Sequence, residues 1–258
     1  MDHLKRVTDE FTRQAQTFEV WAEQVDADVG TRFGGALGEA ARGRLIDVAC
    51  GPGVVTAALA PDAASIVAFD ATDEMLEKTK ARCAKAGLRN VEFKSGDAER
   101  LPFADAAFNG AVTRAALHHF AEPQRAISEM FRVLRPGGVA VFADVISSEN
   151  AEESQLHNAI ERLRDPSHVR MLSASELESA ARRAGFGDLK AARWDMNREL
   201  EEWFSIVRDP ARVEPIRTVV RTLAQSGCSA GIGLSIKDGK VVFLHHWLFL
   251  KATKPLQH

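Results

Sequence analysis

The sequence predicts an α/β fold: a doubly wound, mostly parallel sheet with helices on both faces. Two observations carry this. Short apolar runs alternate with segments of helical periodicity from Arg44 onward, the rhythm that winds helices around a parallel sheet. One of these runs, Leu45-Ile46-Asp47-Val48, enters the turn Gly51-Pro52-Gly53 and leaves it as a helix-like stretch from Val54 to Ala60. Strand, glycine turn and helix together present backbone N–H groups to a nucleotide-like ligand.

Residues 1–42 carry no strand pattern and read as helices able to cap a ligand. Arg44–Val48 is the first strand and Ile66–Asp70 the second. Thr72–Ala86 is a helix with Met75, Leu76, Thr79 and Cys83 on one face. Val91–Lys94 and Phe108–Thr113 are strands three and four, and a helix follows over Pro123–Leu134. Pro136-Gly137-Gly138 ends that helix and leads into strand five, Val139–Val145. Ser148–Ser154 is polar and acidic and reads as a loop. Ser173–Gly185 reads as a helix with Ser173 as N-cap and Glu176 as its capping-box partner. Leu189–Met196 is a further strand, residues 199–225 are helical with breaks at Pro210 and Pro215, and Asp238-Gly239 turns into a last strand, Lys240–Ala252. Without repeat, low-complexity tract or linker, residues 1–258 read as one elaborated domain: a cap (1–42), a ligand-binding core (43–147) and a C-terminal half carrying substrate-side insertions (148–258).

Bulk properties narrow the function. Of 258 residues, 45% are hydrophobic and 27% charged, and the formal net charge of -3 argues against nonspecific nucleic-acid binding. Cys50, Cys83 and Cys228 are too few and too scattered for a disulfide framework or a thiolate zinc site, which fits a reducing cytoplasm. Met1–Thr12 is charged where a signal peptide would be apolar, and no apolar run reaches the roughly 20 residues that span a bilayer, so no membrane insertion is expected. Tyrosine is absent and so is excluded as a catalytic acid or base.

The chemistry begins at Asp47. A carboxylate beside the glycine turn would repel a dinucleotide's pyrophosphate, and Thr56 stands where a G-x-G-x-x-G fingerprint has its third glycine. S-adenosylmethionine (SAM) has no phosphate and carries a sulfonium and an ammonium, which a carboxylate attracts. Asp70 ends strand two about 20 residues on, where an acid accepts from ribose hydroxyls; the alternative is a helix cap, since Thr72 and Asp73 follow. Asp97, in Gly96-Asp97-Ala98-Glu99, can accept from the adenine amine, or simply make a turn. Strand four ends in Thr113-Arg114-Ala115-Ala116-Leu117-His118-His119-Phe120. Arg114 either pairs with the donor's methionine carboxylate or bonds carbonyl groups. His118 or His119 either takes a proton from the attacking nucleophile or caps the pocket floor. In-line positioning suffices for methyl transfer from a sulfonium, so no base is obligatory. Asp144 would suit a magnesium ion only with a second acid on strand four, where Arg114 stands instead. His245-His246 point to opposite faces of one strand and cannot share a metal. No metal site is expected.

Four ordered motifs over residues 44–147 resemble the class I SAM-dependent methyltransferases, and more narrowly the small-molecule group that includes the ubiquinone/menaquinone-biosynthesis C-methyltransferases. They are Asp47-Val48-Ala49-Cys50-Gly51-Pro52-Gly53, Asp70, Gly96-Asp97-Ala98-Glu99-Arg100-Leu101-Pro102-Phe103 and Leu134-Arg135-Pro136-Gly137-Gly138. The resemblance implies a Rossmann-like sheet of seven strands with an antiparallel last strand and helical cap insertions. It implies donor contacts from Asp47, Ala49, Gly51, Gly53, Asp70, Ala71, Met75, Asp97, Ala98, Glu99 and Arg114, and from an N-terminal segment carrying Phe11, Gln14 and Phe18. A tyrosine is often found where Phe18 stands, so a hydroxyl contact is lost there. The expected reaction moves the SAM methyl to a carbon or oxygen of a small, apolar or aromatic molecule, leaving S-adenosylhomocysteine. Trp21, Phe33, Met171, Trp203 and Phe204 are candidates to line the acceptor pocket. A SAM-binding protein with a regulatory or non-methyl-transfer role competes with this reading, as does, less well, an NAD-dependent oxidoreductase. A homodimer is left open.

Overall fold

The computed structural model describes residues 3–24, 28–205, 207 and 209–256, and the side chains among them outside 15–24. The chain opens with α1 (His3–Gln24) and α2 (Val29–Leu37). An alternating stretch follows: β1 (Arg44–Val48), α3 (Val54–Leu59), β2 (Ser65–Asp70), α4 (Asp73–Lys85), β3 (Val91–Ser95), β4 (Phe108–Arg114), α5 (Pro123–Val133) and β5 (Leu134–Val145). The C-terminal half holds α6 (Ala151–Arg164), α7 (Ala174–Ala184), β6 (Gly187–Glu199), α8 (Leu200–Phe204), α9 (Pro210–Gln225), β7 (Ser235–Lys237) and β8 (Lys240–Thr253).

The sheet runs β3-β2-β1-β4-β5-β8-β6, and the short β7 pairs with β8, making eight strands where seven were expected. β1 to β5 are mutually parallel, while β8 runs antiparallel to β5 and β6, as the resemblance implied. Both faces are covered. On one, Ile127, Met130 and Val133 of α5 and Leu177 and Ala181 of α7 pack on Val48, Phe69, Phe142 and Leu250. On the other, Phe33 and Leu37 of α2 and Val55 and Leu59 of α3 pack on Leu45, Ile66, Val112 and Val141. Burial on both faces explains why these strands read as continuous apolar runs rather than alternating ones.

A third cluster lies beyond the sheet's far edge. Trp203, Phe204, Val213, Ile216 and Val220 of α8 and α9 pack with Ile160 of α6 and with Val241 and Phe243 at the start of β8. β8 therefore serves two cores, its first residues this one and Leu248 and Leu250 the main one.

Three elements differ from expectation. The acidic stretch read as a loop starts α6, because Asn150 caps it by accepting from the Glu152 and Glu153 N–H groups, and the two glutamates suit a helix's positive end. Pro215 does not break α9: Pro210 takes the first helical position, and the helix runs on past Pro215, inside its second turn, to Gln225. The Pro136-Gly137-Gly138 turn lies within β5, whose register shifts there against β4. The helix over 174–184 carries the capping box that Ser173 and Glu176 indicated.

Candidate active site

The carboxyl ends of β1, β2 and β4 border a cavity of about 300 Å³, where ligands enter an open α/β sheet. Its walls include Asp47, Ala49, Gly51, Asp70, Ala71, Met75, Asp97, Ala98, Glu99, Arg114, His118 and His119. The structure thus gathers residues from three of the four motifs and from the end of strand four around one space. Gly53 is the exception. It does not border the cavity, and a Cβ there would lie 2.4 Å from Thr79 Cγ2 of α4. Gly53 lets the turn back onto a helix, whereas Gly51, with φ near +52° and open space where its Cβ would stand, keeps the cavity side clear. The Phe18 side chain lies outside the described residues, as does that of Trp21.

The turn is held from below. Asp70 Oδ2 accepts from the Gly51 N–H (2.8 Å) and Oδ1 from the Thr72 N–H (2.9 Å). Asp70 therefore braces the Gly51 turn and the chain just before α4, whose N-cap is Thr72 with no side-chain cap bond, and still presents its carboxylate to the cavity. Burial raises its pKa, against the pull of those donors. Asp47 accepts a 2.6 Å hydrogen bond from Thr56 Oγ1. Thr56 thus stands at the third fingerprint position as the support of this acid. Burial pushes the Asp47 carboxyl up to about 7 despite that bond, so a cation in the cavity would find an acid ready to ionise. Asp97 accepts from the Glu99 N–H (2.8 Å), and Glu99 accepts from the Glu122 N–H (2.7 Å), which fixes this loop against the start of α5. Arg114 stacks over the Trp247 ring, 5.4 Å from its centroid.

Two alanines at strand ends adopt left-handed backbone: Ala49 after β1 (φ 57°) and Ala115 after β4 (φ 52°). Both border the cavity. Non-glycine residues in this region cost on the order of 1 kcal/mol or more and cluster at functional sites.

The two histidines occupy different environments. His118 Nδ1 lies 2.6 Å from Asp144 Oδ1 on β5, and that oxygen also accepts from the Val145 N–H (2.8 Å). Asp144 thus pairs with an imidazole. Burial opposes charge on His118, but the Asp144 carboxylate outweighs it and the pKa is raised. With Nδ1–H donating to Asp144, Nε2 carries the free lone pair. His119 is pushed the other way, down to about 4, by burial and by the neighbouring His118 charge. Its Nδ1 lies 3.1 Å from Ser167 Oγ, which donates to Asp165 Oδ1 (2.5 Å), and Phe11 of α1 packs edge-on against its ring. His119 is a neutral wall residue.

Of the acceptor-side candidates whose side chains are described, Trp203 alone borders the cavity. Phe33 packs against Phe249 in the sheet core, Phe204 lies in the α8–α9 cluster, and Met171 packs with Val145 and Trp247. Sequence reading missed His3, Leu4 and Val7 of α1, Arg164 at the end of α6 and Asp165 after it, and Arg198 and His245, all of which border the cavity. No local pattern marks them, because they meet only when α1 and the C-terminal half fold over the strand ends. His157 and Glu161, four apart on one face of α6, do not border the cavity but lie next to His245, which does.

Residues 46–142 match the family described as methyltransferase domain. A solved structure of a putative methyltransferase from Bacillus halodurans is 30% identical, superposes with a TM-score of 0.77, and is matched over 82% of this chain and 92% of its own. The chain belongs to the SAM-dependent methyltransferase family. The uncharacterized methyltransferase YcgJ of Bacillus subtilis is 33% identical over 170 residues, 65% of this chain and 66% of YcgJ. Its crystal structure superposes with a TM-score of 0.82 over 90% of this chain. The demethylmenaquinone methyltransferase of Clavibacter sepedonicus is 38% identical over 109 residues, 42% of this chain and 44% of that protein. The sequence matches thus cover no more than two thirds of these curated relatives' own length. Among the described residues no helix is long and apolar enough to cross a membrane.

Proposed function

We propose that this methyltransferase transfers the SAM methyl to a carbon or oxygen of a small aromatic acceptor carrying an ionisable hydroxyl. The observation that carries the proposal is the His118–Asp144 pair on the wall of the cavity formed by the SAM-family motifs. A base matters only for an acceptor that must lose a proton, so its presence favours an O–H nucleophile, or a carbon activated by one, over a neutral amine. Trp203, Trp247, Phe120 and Val145 on the wall suit an aromatic ring.

SAM in this reading lies with its adenine along Asp97 and Ala98, its ribose hydroxyls on Asp70, and its charged methionine end toward Asp47 and Gly51. Each Asp70 oxygen has a further lone pair beyond its backbone bond, so ribose hydroxyls add to the existing contacts. The sulfonium supplies the methyl, which is transferred in line to the nucleophile, and S-adenosylhomocysteine leaves. As the acceptor attacks, His118 Nε2 takes the hydroxyl proton and Asp144 stabilises the resulting imidazolium.

The reading is tested in two stages. Calorimetry should show SAM and S-adenosylhomocysteine binding and NAD not binding. Single-turnover transfer from labelled SAM should then occur with members of a panel of quinols and phenols, and not with matched non-hydroxylated rings. Transfer to amines alone would overturn the acceptor class.

A further inference from the structure

Behind His245 of β8, which borders the cavity, lie His157 and Glu161 of α6, and one ligand atom from each of the three lies within 4.8 Å of the others. We propose that these three residues form a binding site for a divalent first-row transition metal ion, with zinc as the reference case. Two imidazole nitrogens and one carboxylate oxygen are a donor set of the borderline kind that such ions take.

The polar groups here are otherwise unaccounted for. His157 is 1% exposed, and neither of its ring nitrogens has a hydrogen-bond partner. His245 Nε2 is buried and likewise without one. Both rings approach Glu161 Oε1 without bonding it, His157 Nε2 at 3.7 Å and His245 Nε2 at 3.4 Å. Buried polar atoms are almost always paired, so two orphaned Nε2 atoms beside one carboxylate oxygen point to a missing partner between them. An ion at about 2.0–2.2 Å from each ligand would need them only slightly closer than they stand.

The surroundings prepare the ligands. Arg164 holds the other carboxylate oxygen, Glu161 Oε2, with its Nε at 3.2 Å and Nη2 at 3.1 Å, and so turns Oε1 toward the histidines. Such a grip from behind is how metal-binding carboxylates are commonly oriented. His245 and Trp203 also border the main cavity, so a fourth coordination position can open toward it. His246, the neighbour in sequence, points away and pairs with Asp195 at 2.7 Å.

The proposal is independent of the reading of the acceptor, and its test needs no turnover. Untagged protein, dialysed against chelator, should bind one equivalent of Zn²⁺ by calorimetry and melt at higher temperature with Zn²⁺ than without. Co²⁺ should produce the visible absorption of a low-symmetry, four- or five-coordinate site. His157→Gln and His245→Gln, each confirmed folded by circular dichroism, should weaken Zn²⁺ binding at least a hundredfold, and His246→Ala should leave it unchanged. Absence of stoichiometric Zn²⁺ or Co²⁺ binding by the unaltered protein would overturn the proposal, as would binding that survives both glutamine variants.

Discussion

Two acids and one imidazole divide the work at the strand ends, and each makes a distinct prediction. Asp47 keeps its proton to about pH 7 because it is buried. A carboxyl with a higher pKa in the folded chain than in the unfolded one favours folding below its ordinary value of 3.8, and loses that contribution as pH rises through about 7. A cationic donor reverses the preference, since it needs the ionised form. SAM affinity measured by calorimetry should therefore fall as pH drops below about 7, approaching roughly tenfold per pH unit, and Asp47→Asn should remove all but the part due to Asp70. Asp70→Ala should lower SAM affinity on the order of a hundredfold, about 2–3 kcal/mol, through loss of the ribose contacts and of the brace on the Gly51 turn. Unchanged affinity would refute the assignment. The raised pKa of His118 sets the third expectation: the acid limb of the turnover profile lies above the unperturbed value near 6.5. Asp144→Asn should move that limb down, and His118→Gln should abolish it and slow single-turnover transfer by roughly 10²–10⁴-fold. His119, already neutral, should leave the limb in place when changed to glutamine.

Among elements, the turn between β1 and α3 shows how one motif serves two purposes. Gly51 faces the cavity, but Gly53 backs onto α4, where any side chain would strike Thr79. Gly53→Val is therefore expected to destabilise the protein itself, by about 1–3 kcal/mol, from overpacking and from the left-handed backbone it would strain. The measurement is a thermal melt without ligand: a variant with an unaltered melting temperature and weakened SAM binding would restore a direct role for Gly53. The helix α6 contributes in a comparable way from both ends, with Asn150 capping its start and Arg164 at its end stacked over Trp203, 4.7 Å from the ring centroid.

For the molecule as a whole, the cavity exists because two ends of the chain meet over the sheet. His3, Leu4, Val7 and Phe11 of α1 border it, and the His3 Nε2 lies 2.8 Å from the His119 carbonyl oxygen. None of these four belongs to the main hydrophobic clusters. Removing the residues before Gln14 should leave the sheet folded by circular dichroism while releasing S-adenosylhomocysteine at least about tenfold faster, since a lid excludes water and retains ligand. An unchanged release rate would show that α1 is not a lid.

The order of strands and helices from Arg44 to Val145 was legible because β1, β2, β4 and β5 are buried on both faces and the helices between them carry one apolar stripe. The positions of Asp47, Gly51, Asp70 and Asp97 were legible too, because a ligand-binding turn at a strand end is a local pattern, readable over a few residues. Elsewhere the sequence was ambiguous. Asn150 announces a helix cap only once α6 is seen to follow it, and Pro215 looks like a break until its place near the start of a helix is known. Gly51 and Gly53 are identical in sequence, and only the position of Thr79 separates their roles. The pairing of His118 with Asp144 joins strand four to strand five across 26 residues, and His157, Glu161 and His245 are joined by a strand some 80 residues away from the helix. Such contacts are set by how elements stack, which residue type and spacing do not encode locally. They also fix the protonation of each group, because burial and the nearest charge are properties of the folded molecule alone.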